Sequence, residues 1–133
     1  MGTSPSIRVD DLTKTYGSIT AIERLTIAIE GAQIVGLVGP NGAGKTTLIQ
    51  CLLGLERPTT GTSHVDGTSS MDLKARDRQR IGYMPQEEAV YRDLTVRENV
   101  GFFARLYGVD DRGPAIDEAL AFVGLQDRED ARI

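Results

Sequence analysis

Tryptophan is missing from this sequence, and histidine and cysteine occur once each, as His64 and Cys51. A single cysteine closes no intramolecular disulfide, and one cysteine beside one histidine builds no zinc site of the usual kind. Cys51 falls inside an apolar stretch with helical spacing, where a packed thiol is expected rather than a reactive one. No apolar run approaches the ~20 residues that span a bilayer as a helix. The N-terminus lacks the apolar core of a signal peptide, so a reducing, cytoplasmic setting is expected. There is no lysine–arginine block either. Fifteen basic residues against 19 acidic ones leave a formal net charge of −4, which argues against nucleic acid as the main partner. The 133 residues suffice for one ordinary domain with a buried core.

What the chain does have is Gly39-Pro40-Asn41-Gly42-Ala43-Gly44-Lys45-Thr46-Thr47, which fits G-x-x-x-x-G-K-T. Glycines admit backbone conformations closed to other residues and let the chain approach a phosphate. The loop amides and the first turn of the following helix then form a positive nest. In such a loop Lys45 reaches the β- and γ-phosphates, and the Thr46 hydroxyl holds a Mg²⁺ bridging the same oxygens. A chance match in a glycine-rich chain is the plain alternative, and the flanks argue against it. Ala32–Val38 upstream is apolar and β-branched, as a buried strand is. Leu48, Ile49, Leu52 and Leu53 downstream have helical spacing, with Gly54 where a C-cap glycine belongs.

In chain order, Met1–Ser6 reads as a lead-in without regular structure. Residues 7–12 alternate as a half-buried strand, Lys14–Ser18 as a turn carrying an aromatic, and Leu25–Ile29 as a second alternating strand closed by Glu30-Gly31. These predict an antiparallel sheet ahead of the phosphate loop. Thr62–Val65 is a short strand, Asp66-Gly67 a tight turn, and Lys74–Arg80 a basic face of one or two helical turns. Ile81–Met84 reads as a strand ending at Pro85-Gln86. Thr95-Val96-Arg97-Glu98 is a capping box. It opens a helix with Val96, Val100, Phe103 and Leu106 on one stripe, ending near Gly108. Pro114 suits the first turn of another helix, with Ile116, Leu120 and Val123 inward and Gly124 as its stop. The tail Gln126–Arg132 is highly charged and shows no terminator.

Four stretches together resemble the nucleotide-binding domain of an ATP-binding cassette (ABC) transporter. They are the Gly39–Thr47 loop, Tyr16, the run Ile81-Gly82-Tyr83-Met84-Pro85-Gln86, and Leu94-Thr95-Val96-Arg97-Glu98-Asn99. The segment Asn99–Gly108 is most similar to drug-exporter and ABC-2-type subunits. The likeness runs from about Ile7 to Ile133. It implies an α/β P-loop NTPase fold of the ABC type. Residues 1–94 would form the β subdomain and phosphate-loop core, and residues 95–133 the start of the helical subdomain.

The resemblance also assigns roles. Gly39, Asn41, Gly42, Ala43, Gly44, Lys45, Thr46 and Thr47 would bind ATP, with Lys45 stabilising the β/γ charge. Tyr16, 29 residues before Lys45, would stack on the adenine. The alternative for Tyr16 is a turn tyrosine packed on the sheet. Gln86, 41 residues after Lys45, would join Thr46 at Mg²⁺ and sense the γ-phosphate, lending its amide oxygen to the metal. Taken alone, a glutamine in an exposed turn faces solvent. Glu87–Leu94 would face a permease's cytoplasmic helix, or else form an ordinary polar loop. His64 is too early to be the family's catalytic histidine and reads as structural.

Beyond Gln86 the family's Ser-Gly-Gly signature, the apolar strand ending in Asp, the catalytic Glu and the late His are not found. The chain therefore reads as the N-terminal part of a cassette, expected to self-associate or be poorly stable alone, and to be crippled in hydrolysis. The implied function is an ATPase subunit that drives export through a membrane permease. It would work with a second nucleotide-binding domain, peripheral to the membrane at its cytoplasmic face. The rival is a cassette-type ATPase acting on nucleic acid or ribosomes, which typically carries coiled-coil insertions or a second cassette; neither is seen. A GTP switch is disfavoured because Asn-Lys-x-Asp is absent.

Overall fold

The computed structural model describes residues 6–31 and 33–132. Met1–Pro5, Ala32 and Ile133 lie outside the described residues, and with them most of the expected lead-in and the first residue of the expected strand Ala32–Val38. The chain forms two compact units, one up to Lys74 and one from Ala75.

In the first unit, β1 (Ile7–Tyr16) and β2 (Ile19–Ile29) make a long antiparallel hairpin, pairing Ile7 with Ile29, Leu12 with Leu25 and Tyr16 with Ile19. β3 (Thr60–Val65) pairs antiparallel with the other edge of β1, and β4 (Thr68–Ser69) with β3, giving the order β2-β1-β3-β4. The antiparallel sheet is thus as expected, and longer. Lys14–Tyr16 belong to β1, so the expected turn shrinks to Gly17-Ser18. An irregularity in the hairpin, with positive φ at Asp11 and Arg24, is held by side chains. The Arg24 guanidinium donates to Asp11 (3.0 Å), and the Asp11 N–H donates to the Thr26 hydroxyl (2.9 Å). Such bulges keep a strand continuous where its residue types suggest a break. Asp66-Gly67 turns β3 into β4, both residues at positive φ, as Asp-Gly turns require.

Helix α1 (Lys45–Leu52) lies on this sheet. Val9 and Leu12 of β1, Ile22 of β2, and Leu48 and Cys51 of α1 form the buried cluster, edged by Ile7, Leu25, Ile27 and Leu52. Each large aliphatic sealed there contributes about 2 kcal/mol of burial. Ser63 of β3 donates to the Cys51 carbonyl (3.2 Å), tying sheet to helix. Cys51 is fully buried, and burial pushes its thiol pKa up, as a packed role requires. Gly54, at φ +65, follows the helix as expected.

Two expected strands do not form. Residues 34–38 join no ladder among the described residues, and Ile34 and Val38 are 105% and 95% exposed. Residues 81–84 are likewise outside any sheet, with Met84 at 90%. β-branched composition favours an extended chain, but a strand exists only where a neighbour takes its backbone groups.

In the second unit α2 (Ala75–Arg78) is a single turn. α3 (Val96–Leu106) and α4 (Arg112–Phe122) pack together, with Leu120 of α4 nearly sealed. The capping box is complete: Glu98 N–H donates to Thr95 Oγ1 (3.1 Å), and Thr95 N–H donates to the Glu98 carboxylate (2.8 Å). Gly108 and Gly124 sit at positive φ after their helices. Val123, expected inward, is instead 57% exposed at the C-cap of α4, and Leu106, expected on the α3 stripe, is 59% exposed as the last residue of that helix. The charged tail makes a 3-10 turn (Gln126–Arg128) and a bridge from Arg132 to Thr95.

Candidate functional site

The phosphate-loop residues form one continuous arch. Its shape is set by glycines in the left-handed region, Gly42 at φ +81 and Gly44 at φ +79. Gly44 is also the N-cap of α1, and a Cβ there would stand 2.2 Å from the Ala21 carbonyl oxygen of β2. Only glycine fits both the dihedral and the space. The Ala43 N–H donates to the Pro40 carbonyl (3.2 Å), and the Leu48 N–H to the Gly44 carbonyl (2.8 Å), where α1 begins. Lys45 reaches back across the arch and donates to the Gly39 and Pro40 carbonyls, 2.6 Å each. The ammonium thus stands at the loop's mouth, at the positive end of α1. Asn41 and Thr46 are exposed, Thr47 partly so.

Tyr16 closes β1 and pairs with Ile19, two residues before the Ala21 that abuts Gly44. The tyrosine therefore lies at the same end of the hairpin as the arch. Tyr16 is 43% exposed, and the Lys14 ammonium stands over its ring, 4.7 Å from the centroid. Lys14 is itself held by Glu56 (2.7 Å) and the Arg57 carbonyl (2.8 Å). The hydrogen bond to Glu56 raises the Lys14 pKa above its ordinary value. Sequence reasoning missed Lys14, whose partner is 42 residues away. Its only local sign was a lysine two residues before the aromatic.

Gln86 lies in the second unit, on an exposed bend. It lines a cavity of about 760 Å³ with Tyr83, Met84, Val90, Phe103 and Tyr107. The structure brings the arch residues together, with Tyr16 toward the same end of the hairpin, and Gln86 belongs to the second unit. A second omission of the sequence reading is Asn99, buried and bonded to the chain that follows Gln86. An asparagine inside a helix, directly after a capping box, was the available signal, since asparagine is a poor helix former. Among the described residues no cluster of three or more histidine, cysteine, aspartate or glutamate side chains is placed to hold a metal. No described helix is long and apolar enough to cross a membrane.

The protein-family model described as ABC transporter matches residues 22–133. The chain belongs to the ABC transporter family. It is 42% identical over 123 residues to the bacitracin transport ATP-binding protein BcrA of Bacillus licheniformis, covering 92% of this chain and 40% of that protein. It is 39% identical over 135 residues to the methionine import ATP-binding protein MetN of Geobacillus kaustophilus, covering 94% of this chain and 40% of that protein. A solved structure of the ATP-binding subunit of an ABC transporter superposes with a TM-score of 0.82 at 27% identity, covering 95% of this chain and 53% of that one. The fold is accordingly the N-terminal portion of an α/β P-loop NTPase of the ABC type. The chain spans about 40% of the length of the two curated relatives.

Proposed function

We propose that these residues are the nucleotide-binding part of an ABC transporter's ATP-binding subunit, with Mg·ATP as ligand. The observation that carries the reading is the arch: two left-handed glycines, one unable to bear a side chain, leading into a helix N-terminus with an ammonium at its mouth. This donor set suits phosphate oxygens. Gly39, Asn41, Gly42, Ala43, Gly44, Lys45, Thr46 and Thr47 hold the phosphates. To do so Lys45 exchanges its two carbonyl partners for phosphate oxygens. Tyr16 offers its partly exposed ring to the adenine. The Thr46 hydroxyl and the Gln86 amide oxygen are hard oxygen donors of the kind Mg²⁺ takes, and would hold it. An ion held by these oxygens would supply charge neutralisation to the bound phosphates.

In the full-length protein, ATP binding and hydrolysis drive the closure of two such domains on each other, which moves substrate outward through a membrane permease at the cytoplasmic face of the membrane. Both a homodimer and a heterodimer are compatible with this reading. The export direction rests on the Asn99–Gly108 segment, since one relative is named for import and the other only for transport. We propose the functional division after Leu94; the capping box that opens α3 there supports this reading. The 133 residues alone bind nucleotide and turn it over poorly, because no residue in them takes the part of the family's catalytic glutamate. Thermal-shift titration tests the ligand: ATP with Mg²⁺ raises the melting temperature and GTP does so less. An equal response to both, or none, counts against the reading. Co-purification of the full-length protein with a multispanning membrane protein supports the transporter role, and co-purification with ribosomes or DNA supports the rival one.

A further inference from the structure

The chain that leaves Gln86 is fastened to α3 chiefly through Tyr91, with a longer bond from the Asn99 side chain to the Leu94 carbonyl (3.4 Å). The Asn99 side chain accepts the Tyr91 N–H (2.8 Å) and donates to the Tyr91 carbonyl (2.9 Å) and the Thr95 carbonyl (3.0 Å). One amide meeting both backbone groups of one residue reproduces the pairing that a neighbouring strand would give. Asn99 is 4% exposed, so either bond, once lost, leaves a buried polar group unpaired. The Tyr91 ring adds an edge-on contact with Phe102, with centroids 4.7 Å apart.

Two positions earlier, the same turn of α3 grips the tail. Arg97 donates to Glu129 (2.5 Å) and to Asp117 of α4 (2.6 Å). The Val96 and Arg97 N–H groups, which a helix start leaves without internal partners, donate to the Ala131 and Glu129 carbonyls at 2.9 Å each. Three residues in the first turn of α3, Val96, Arg97 and Asn99, therefore hold two chain segments far apart in sequence.

We propose that Asn99 is a positioning residue that locks the segment following Gln86 to the first turn of α3, where Arg97 locks the tail Glu129–Arg132, so that the two segments shift as one body. The consequence for turnover rests on the reading of Gln86 given above; the mechanical link does not. A displacement of Tyr91 would reach the tail through two short side-chain clamps on one turn of α3.

Hydrogen–deuterium exchange of the full-length protein tests this with Asn99→Ala and Arg97→Gln. Asn99→Ala is expected to raise uptake about fivefold or more in residues 87–94 and also in residues 126–132, leaving β1 and α1 unchanged. Arg97→Gln, a change at a partly exposed side chain, raises uptake in the same two segments from the opposite side. Loosening confined to the segment that each variant touches overturns the proposal, as does no change in either. If Asn99→Ala also deprotects β1 and α1, Arg97→Gln decides alone: unaltered uptake at 87–94 sinks the link. In a second arm Asn99→Ala keeps the ATP dissociation constant within about twofold and lowers kcat about tenfold. Wild-type protein that binds no ATP defeats the nucleotide reading and leaves the exchange result standing.

Discussion

Strand β1, which alternates apolar and polar residues, and residues 34–38, a nearly continuous apolar run, both belong to the phosphate-loop unit, yet they end in opposite environments. β1 is paired along both edges, to β2 and to β3, and its Val9 and Leu12 are completely buried. Residues 34–38 are the more continuously apolar, yet Ile34 and Val38 face solvent almost fully. Side-chain type sets the preference for an extended backbone. Burial and a hydrogen-bond ladder come only with a partner strand.

The largest expected effect follows from that contrast. Exchange of the β1 amides should be slower than that of residues 34–38 by about a thousandfold, because only the first set must wait for the sheet to open. Comparable rates in the two segments would break the comparison. Next in size, Leu12→Ala is expected to destabilise by about 3 kcal/mol, whereas Val38→Ala stays within about 0.5 kcal/mol, as read from chemical denaturation. A third contrast lies inside the arch. Gly44→Ala combines a left-handed φ with a 2.2 Å clash against the Ala21 carbonyl, and Gly42→Ala has the same φ in open space. The first should cost about 3 kcal/mol or more and the second about 1 kcal/mol. Equal costs would mean that β2 does not press on the loop.

The smallest effect concerns acid. Arg8, donating to both carboxylate oxygens of Asp10 at 2.8 and 3.0 Å, holds the Asp10 pKa below its ordinary 3.8. A depressed folded pKa contributes stability that is complete above the unfolded value and is lost as pH falls through the folded one. Asp10→Asn should therefore flatten the fall of the thermal midpoint below about pH 4 and leave its shape near neutrality unchanged. An identical acid slope in variant and wild type would show that the pair contributes nothing.

Features fixed by local chemistry were legible in the sequence. The Thr95–Glu98 capping box, the Asp66-Gly67 turn and the glycines closing α1, α3 and α4 each depend on a few adjacent residues. So did the arch, since glycine permits the positive φ that Gly42 and Gly44 adopt. What escaped was long-range. Whether Ile34 or Met84 is buried depends on partners elsewhere in the chain. β1 runs on to Tyr16 because β2 and Thr60 of β3 pair with it past the bulge. The clamps made by Lys14, Arg97 and Asn99 depend on where Glu56, Glu129 and Tyr91 come to rest.

The central claim is that the arch from Gly39 to Thr47 grips a triphosphate through backbone amides and one ammonium. Isothermal titration of full-length protein with ATP and Mg²⁺, against the Lys45→Ala variant, tests it most directly. The account predicts saturable uptake by the wild type, weakened about tenfold to a hundredfold when the charged donor is removed. A folded wild type that takes up no nucleotide, or a variant that binds as well, would contradict it.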